Sequence, residues 1–322
     1  MATSGSVDFT LKRNKIITKA MIKVGAIEAG ETPEAEEFAD VSDTLNAMIK
    51  EWDADGYHLW KKREGVLFLK RGKVRYELGP NSSDHATEET GTLVKTALSA
   101  DAATSATTIT VSSITGISDA YNIGIVLDDG TFHWTTVNGA PSGSSVTLTA
   151  GLPSAASSGN KVYAYQKDLN RPLRITDPVR RRDEIAEQDI PIIAFSREEY
   201  FSTPNKLNQS LTTQVYYDPQ IPLGFLYLWP APVDINSTVR FTAALPVEDF
   251  DAAPNDPDFP QEWTNALIWG LADEISVDFG VPMDDRLWIK SGAAEKKGKL
   301  ERWDNESESL YIAPDLTIGG WG

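Results

Sequence analysis

The sequence predicts an α+β protein with a helical core, made of an N-terminal helix hairpin and long C-terminal helices, together with a β-meander and an inserted small all-β module. Three observations predict this class. Apolar residues recur at helical spacing towards both ends of the chain, short alternating segments lie between them, and Ser, Thr, Ala and Gly dominate residues 81–168. We therefore expect four segments, at 1–80, 81–168, 169–309 and 310–322, the last being a tail beyond the final helix.

The N-terminal segment predicts two helices joined by a short loop. Apolar residues at helical spacing place the first helix at 7–26. The second begins at Thr32 and Pro33, because Thr suits the N-cap and Pro suits the first helical position, and it ends at Gly56. Each helix has one apolar stripe, so we expect the two to pack as a hairpin. A β-hairpin with strands at 66–69 and 74–78 should follow.

The middle of the chain predicts a folded all-β insertion, with a flexible Ser/Ala-rich linker as the alternative. Its strands are expected at 108–112, 123–127, 131–136, 146–149 and 161–165, and Asp128-Asp129-Gly130 is a typical hairpin turn. Beyond residue 169 the pattern predicts strands, a capping box formed by Ser196 and Glu199, and two final helices. The meander strands are expected at 215–217, 225–229 and 239–242, and the helices at 261–279 and 284–306.

Composition excludes several classes of protein. The chain of 322 residues contains no cysteine, which rules out disulfides and thiolate metal sites and favours synthesis in a cytoplasm. Its net charge is −17. Tight binding to DNA needs Lys and Arg to displace counterions, so an acidic chain suits a surface that DNA passes without sticking, or simply a soluble one. No apolar run approaches the roughly 18–20 residues that span a bilayer, so we expect no contact with membranes.

Signals of catalysis are weak, and we expect no enzyme, no metal and no cofactor. The three histidines, His58, His85 and His133, have no metal-ligand spacing, and the chain contains neither a nucleophile elbow nor a complete phosphate loop. We interpret His58 as a neutral structural residue and His133 as a partly exposed strand residue. The cluster Arg180–Arg182 could contact phosphates, but we favour a role that is solvated or between subunits.

The C-terminal tail is the most suggestive feature that is not enzymatic. Its apolar residues lie beyond the last helix and are interrupted by Pro314 and Gly319-Gly320. Aromatic side chains on an extension are typical anchors of protein contacts, although the tail could also fold back on its own domain. The candidate binding residues are Tyr311, Ile312, Leu316, Ile318 and Trp321.

An ordered series of motifs resembles a known family. The series is SREEYF at 196–201, YDPQ at 217–220, LYLWPAP at 226–232, PVEDFD at 246–251 and PDFPQEW at 257–263, preceded by GETP at 30–33 and WDADG at 52–56. It resembles the head-to-tail adaptor proteins of short-tailed double-stranded DNA phages, also called tail accessory or packaged-DNA-stabilisation proteins. The resemblance covers roughly 7–80 and 170–305, and it leaves out the insertion at 81–168.

The resemblance implies a structural virion protein at the neck between head and tail. Such a protein forms a ring of twelve copies under the portal, closes the packaged head, extends the DNA channel and attaches the tail. The implied partners are the portal protein, a tail nozzle or tail-tube protein, other copies of this chain, and genomic DNA that passes through the lumen without specific binding. The tail residues would then bind the portal.

Two alternatives remain open from the sequence alone. The chain could be a virion-associated peptidoglycan hydrolase, since acidic pairs are abundant, although one sequence cannot place two carboxylates across a cleft. It could also be a tail component whose module at 81–168 binds carbohydrate through Tyr, Trp and His side chains. The lumen-facing residues and the identity of the tail partner do not follow from the sequence.

Overall fold

The computed structural model describes residues 9–56, 59–91, 93–250 and 255–304. Its contacts divide the chain into two units. The helical unit combines residues 1–60 with 247–322, and the sheet unit comprises residues 61–246. Among the described residues, no helix is both long enough and apolar enough to cross a membrane.

The secondary structure is mostly β-strand. The helices are α1 (Arg13–Val24), α2 (Ala35–Asp55), α3 (Arg197–Ser202), α4 (Thr264–Ile275) and α5 (Met283–Trp303). The strands are β1 (Lys62–Phe68), β2 (Arg75–Leu78), β3 (Ala86–Glu88), β4 (Leu93–Ala97), β5 (Thr108–Thr110), β6 (Asn122–Val126), β7 (Phe132–Thr136), β8 (Ser145–Thr147), β9 (Lys161–Tyr165), β10 (Arg174–Asp183), β11 (Gln188–Ala194), β12 (Gln209–Ser210), β13 (Gln214–Asp218), β14 (Gly224–Trp229), β15 (Ala231–Pro232) and β16 (Ser237–Ala244).

The predicted fold class, an α+β protein built on a helical core, is wrong. The chain is only 27% helical, and its largest feature is a mixed sheet that closes almost into a barrel. The helices at the two ends of the sequence have a clear periodicity, whereas the strands between them are short and few of them alternate cleanly. The sequence pattern therefore indicates the helices more strongly than it indicates the large sheet.

The helical unit is organised around α4, not around an N-terminal hairpin. The stripe of α1, which includes Ile16 and Met21, packs chiefly on α4 and only marginally on α2. α4 is apolar around most of its circumference, so it accepts the stripes of both helices. α2 approaches closely at Gly270, where an added Cβ would lie 2.7 Å from the Trp52 ring. The predicted start of α2 was early, since Glu34 and not Thr32 precedes its first residue.

The sheet unit contains eight strands in the order β2-β14-β13-β11-β10-β16-β1-β3. Neighbours are antiparallel except β11 and β13, which are parallel. The predicted meander is wrong, because β13 and β14 pair but β16 lies between β10 and β1. The predicted hairpin of β1 and β2 is also wrong, since β2 pairs with β14. A turn does follow β1, but the two strands diverge to different parts of the sheet.

The insertion folds as an all-β module within the sheet unit. Its four-stranded sheet has the order β4-β9-β6-β7, and β5 pairs with β8. Strands lie at each of the five positions expected within residues 81–168. Two strands of that range, β3 and β4, were not anticipated, and β3 pairs with β1 in the eight-stranded sheet. Its own apolar core includes Ile109, Val111, Ile123 and Val146.

Aromatic residues join the module to the eight-stranded sheet. Phe68 of β1 lies 5.0 Å from Trp134 and 4.9 Å from Tyr163 between ring centroids. His85 stacks on Trp134 at 3.9 Å. Trp134 and Tyr163, two of the aromatic side chains that a carbohydrate-binding module could offer to a sugar, therefore contact the eight-stranded sheet.

Candidate functional site

The outer face of α5 exposes large apolar side chains. In that helix Met283 is 64% exposed, Leu287 is 54% exposed and Trp288 is 62% exposed, and Val277, just beyond α4, is also exposed. We call these four residues the α5 surface. Single exposed apolar residues are ordinary, but a group of large ones on neighbouring segments is typical of an interaction site.

The sequence of α5 explains why this surface faces outwards. Ile289 and Ala293, spaced by four, are the residues of α5 that are fully buried. Gly292 lies directly against α4, because an added Cβ would be 2.3 Å from the Trp269 ring. A helix that packs through so narrow a stripe leaves its remaining apolar side chains exposed.

A cavity of about 230 Å³ lies beside the α5 surface. Val277, Met283 and Leu287 line it together with four charged residues, Asp273, Glu274, Arg286 and Lys290. Burial raises the pKa of Asp273, against the opposing effects of Lys290 and Arg286. Burial also raises the pKa of Glu274, and the nearby carboxylates of Glu51 and Asp273 act in the same direction. The cavity thus combines an apolar rim with partly desolvated charges.

Lysine side chains border the same surface. The Lys23 Nζ lies 3.8 Å from the centroid of the Trp269 ring, and the Lys296 Nζ lies 5.0 Å from it. Trp269 in turn contacts Trp288, with ring centroids 5.0 Å apart. Burial lowers the pKa of Lys23, and repulsion from Lys296 and Lys19 lowers it further. This edge of the α5 surface is therefore aromatic and positively charged, and it suits an acidic partner.

The histidines that the structure describes have structural roles. The His85 Nδ1 is 2.7 Å from the Tyr165 hydroxyl, which donates to Asp168. Burial, and then the charge of Lys70, lower the pKa of His85 to about 4. The His133 Nε2 lies 3.3 Å from the Ala150 carbonyl oxygen, and His133 is a strand residue that pairs with Ile125. Within the described ranges, no group of three or more His, Asp or Glu residues could hold a metal ion.

The residues singled out from the sequence have different outcomes. The five candidate portal-binding residues of the tail and His58 lie outside the described residues. Arg180 and Arg182 pair with carboxylates of the same chain, namely Glu64 for Arg180 and Asp189 for both. Arg181 points to the other face of β10 and is buried. The arginine cluster is therefore largely paired within the subunit.

Sequence reasoning missed the α5 surface. The available signal was a polar helix that nevertheless contained Met283, Leu287 and Trp288 outside a single apolar stripe. Such residues cannot all face one partner helix, so some of them must remain exposed.

No family model matches the chain, and no curated protein matches it.

Proposed function

We propose that this chain is a structural virion protein, a head-to-tail adaptor that forms a ring under the portal, closes the packaged head and attaches the tail. The observation that carries the proposal is the α5 surface. In an assembly, a neighbouring copy of the chain buries this apolar face, and the lysines beside it meet the acidic surface of that copy.

The free energy gained by burying apolar side chains favours a protein as the partner that binds the α5 surface. Burying a Leu, Met or Trp side chain stabilises a complex by about 1.5–3 kcal/mol each, and aromatic residues are the usual anchors of interfaces. A ring uses two different faces on each copy, so a surface on one helix can meet an unlike surface on the next copy. A net charge of −17 supplies the carboxylates for the lysine side of the contact.

The acidity also agrees with a channel for DNA. If part of the negative charge lines the lumen, the wall repels the phosphate backbone and the duplex slides without sticking. The portal and the nozzle or tail tube are then the partners above and below the ring.

Self-association of the α5 surface tests this proposal. The double variant Leu287→Ser and Trp288→Ser should form rings at least tenfold less readily than the wild type, in sedimentation velocity and negative-stain electron microscopy with candidate portals. Lys299→Gln is the matched control, because Lys299 lies on the same helix, is 65% exposed and pairs only with Glu295 four residues away. Rings that form equally well from the double variant would contradict the proposal, as would turnover of peptidoglycan by the purified chain.

A further inference from the structure

Arg181 is a buried arginine that has no hydrogen-bond or salt-bridge partner among the described residues. It lies on β10 with only 6% of its surface exposed. Its side chain forms no hydrogen bond and no ion pair within 4.0 Å in the part of the chain that the structure describes, and its Nε is fully buried without an acceptor. Arginine stays charged at any ordinary pH, so this guanidinium cannot escape the cost of burial by losing its proton.

The position of Arg181 follows from the register of the sheet. Arg181 pairs with Val239 across β16 and alternates with Val179 along β10, and both valines belong to the apolar core of the eight-stranded sheet. Arg180 and Arg182 point the opposite way, where carboxylates neutralise them. One arginine of the cluster thus lies on the core side of the sheet with its Nε buried and unpaired, and a buried charge without hydrogen-bond partners is costly.

A narrow crevice leads from Arg181 to the surface. Ser210, Thr212 and Ser237 line it, and Leu211 and Val233 stand at its mouth, 48% and 37% exposed. Its volume is about 10 Å³, which is room for one water-sized group, such as a single carboxylate oxygen.

Neighbouring carboxylates do not contact the guanidinium directly. Asp234 lies at the crevice but accepts a hydrogen bond from the Asn236 backbone N–H at 2.9 Å and forms no ion pair with Arg181. Hydrogen bonds from the backbone N–H groups of Ala186 and Ile185, at 2.9 and 2.8 Å, lower the pKa of Asp183, and the charge of Arg181 lowers it further. Asp183 is therefore near enough to interact electrostatically with Arg181, but its carboxylate is held by its own turn and does not bond to the guanidinium.

We propose that the crevice at Arg181 is a binding site for a carboxylate group, one oxygen of which enters and pairs with the guanidinium. The group comes either from a small carboxylate ion or from an Asp or Glu side chain of a second copy of this acidic chain. The hydroxyl groups of Ser210 and Ser237 donate to the incoming oxygen, whereas the Thr212 hydroxyl already donates to the Pro230 carbonyl at 3.0 Å. The exposed Leu211 and Val233 contact the carbon atoms behind that oxygen. The site does not depend on the function proposed above.

Thermal unfolding of the full chain tests the site. Replacing chloride by acetate at equal ionic strength and pH 7 should raise the Tm of the wild type by roughly 2–4 °C, because a ligand that binds only the folded state stabilises it. Arg181→Met should lose this shift, and Arg182→Met, on the other face of the same strand, should keep it. General salt effects act on all three proteins alike. A wild-type Tm that does not respond to acetate, or a shift that survives in Arg181→Met, overturns the proposal.

A second measurement observes the arginine directly. In protein labelled with ¹⁵N-arginine, acetate should move with saturation the Nε–Hε resonance of one buried, slowly exchanging arginine. That resonance should be absent from Arg181→Met, which distinguishes it from the resonance of the equally buried Arg240. If acetate moves no such resonance, the site does not exist. If it moves one, sedimentation in acetate then identifies the natural source, since acetate will weaken self-association only where a second copy supplies the carboxylate.

Discussion

His85 illustrates how one residue can couple packing to pH. The hydroxyl proton of Tyr165 goes to Asp168, so the Nδ1 of His85 must carry the proton that it shares with Tyr165. The imidazole is thereby a neutral donor, stacked on Trp134 between the module and the eight-stranded sheet. Protonation would place a charge in an aromatic layer, and this burial is the main reason that its pKa falls to about 4.

Stability should therefore decrease as the pH falls from about 6.5 towards 4. In that window the unfolded chain binds a proton at residue 85 and the folded chain does not, so each step down in pH favours unfolding. The contribution of His85 should be on the order of 2–3 kcal/mol. Urea unfolding of the wild type and of His85→Gln at several pH values measures it.

The comparison between the two proteins separates His85 from the carboxylates that titrate at the acid end of the range. Gln can still donate to Tyr165 but does not titrate, so His85→Gln should have a shallower slope between pH 6.5 and 5. Equal slopes for both proteins would mean that His85 is not the residue responsible.

At the scale of secondary-structure elements, substitutions at two glycines distinguish the contribution of helix packing to stability from that of helix propensity. Gly270 lies in α4, where an added Cβ would be 2.7 Å from the Trp52 ring and 3.0 Å from the Met48 sulfur. Gly298 lies in α5 with nothing within 4 Å of an added Cβ. Alanine improves helix propensity at both positions by about 1 kcal/mol.

We expect Gly270→Ala to lower the free energy of unfolding by about 1–3 kcal/mol, because overpacking against Trp52 outweighs the gain in propensity. Gly298→Ala should instead raise it by about 0.5–1 kcal/mol. Chemical denaturation of both variants measures the difference. If the Gly270→Ala protein were as stable as the Gly298→Ala protein, α2 could move away from α4 to accommodate the methyl group without lowering the free energy of unfolding.

The same distinction explains which elements the sequence predicts. Periodicity identifies the residues that a helix or strand buries, so α1, α2, α4, α5 and all strands of the module except β4 were expected near their true positions. Periodicity does not identify the partner. α1 packs on α4 from the other end of the chain. β1 pairs with β16, whose residues lie 170 to 182 positions further along the chain, although a turn leads from β1 directly towards β2.

The candidate site follows the same logic. The exposure of Trp288 depends on how little of α5 is covered by α4, which is set by the contact of Gly292 with Trp269. The state of Arg181 depends on β10 being flanked by β16 and β11, which presents neighbouring arginines to opposite faces. Neither property is visible in a local window of sequence.

At the scale of the whole molecule, folding and attachment should be separable. The structure already describes an apolar core for each unit and for the module within residues 9–304. The candidate portal-binding residues Ile312, Leu316, Ile318 and Trp321 lie outside the described residues, in the sequence after Tyr311. If the protein is an adaptor, we expect these side chains to serve the portal and not the fold.

Removing the residues after Tyr311 should therefore abolish attachment to the portal while the protein keeps its fold. The truncated chain should retain the circular dichroism spectrum of the wild type and unfold within about 0.5 kcal/mol of it, which is the range expected when a change leaves the described cores intact. Electron microscopy with candidate portals measures attachment, with the full-length variant Ser309→Ala as the control. A truncated protein that docks as well as the control would locate the portal contact elsewhere, and the exposed face of α5 would then be the first surface to examine.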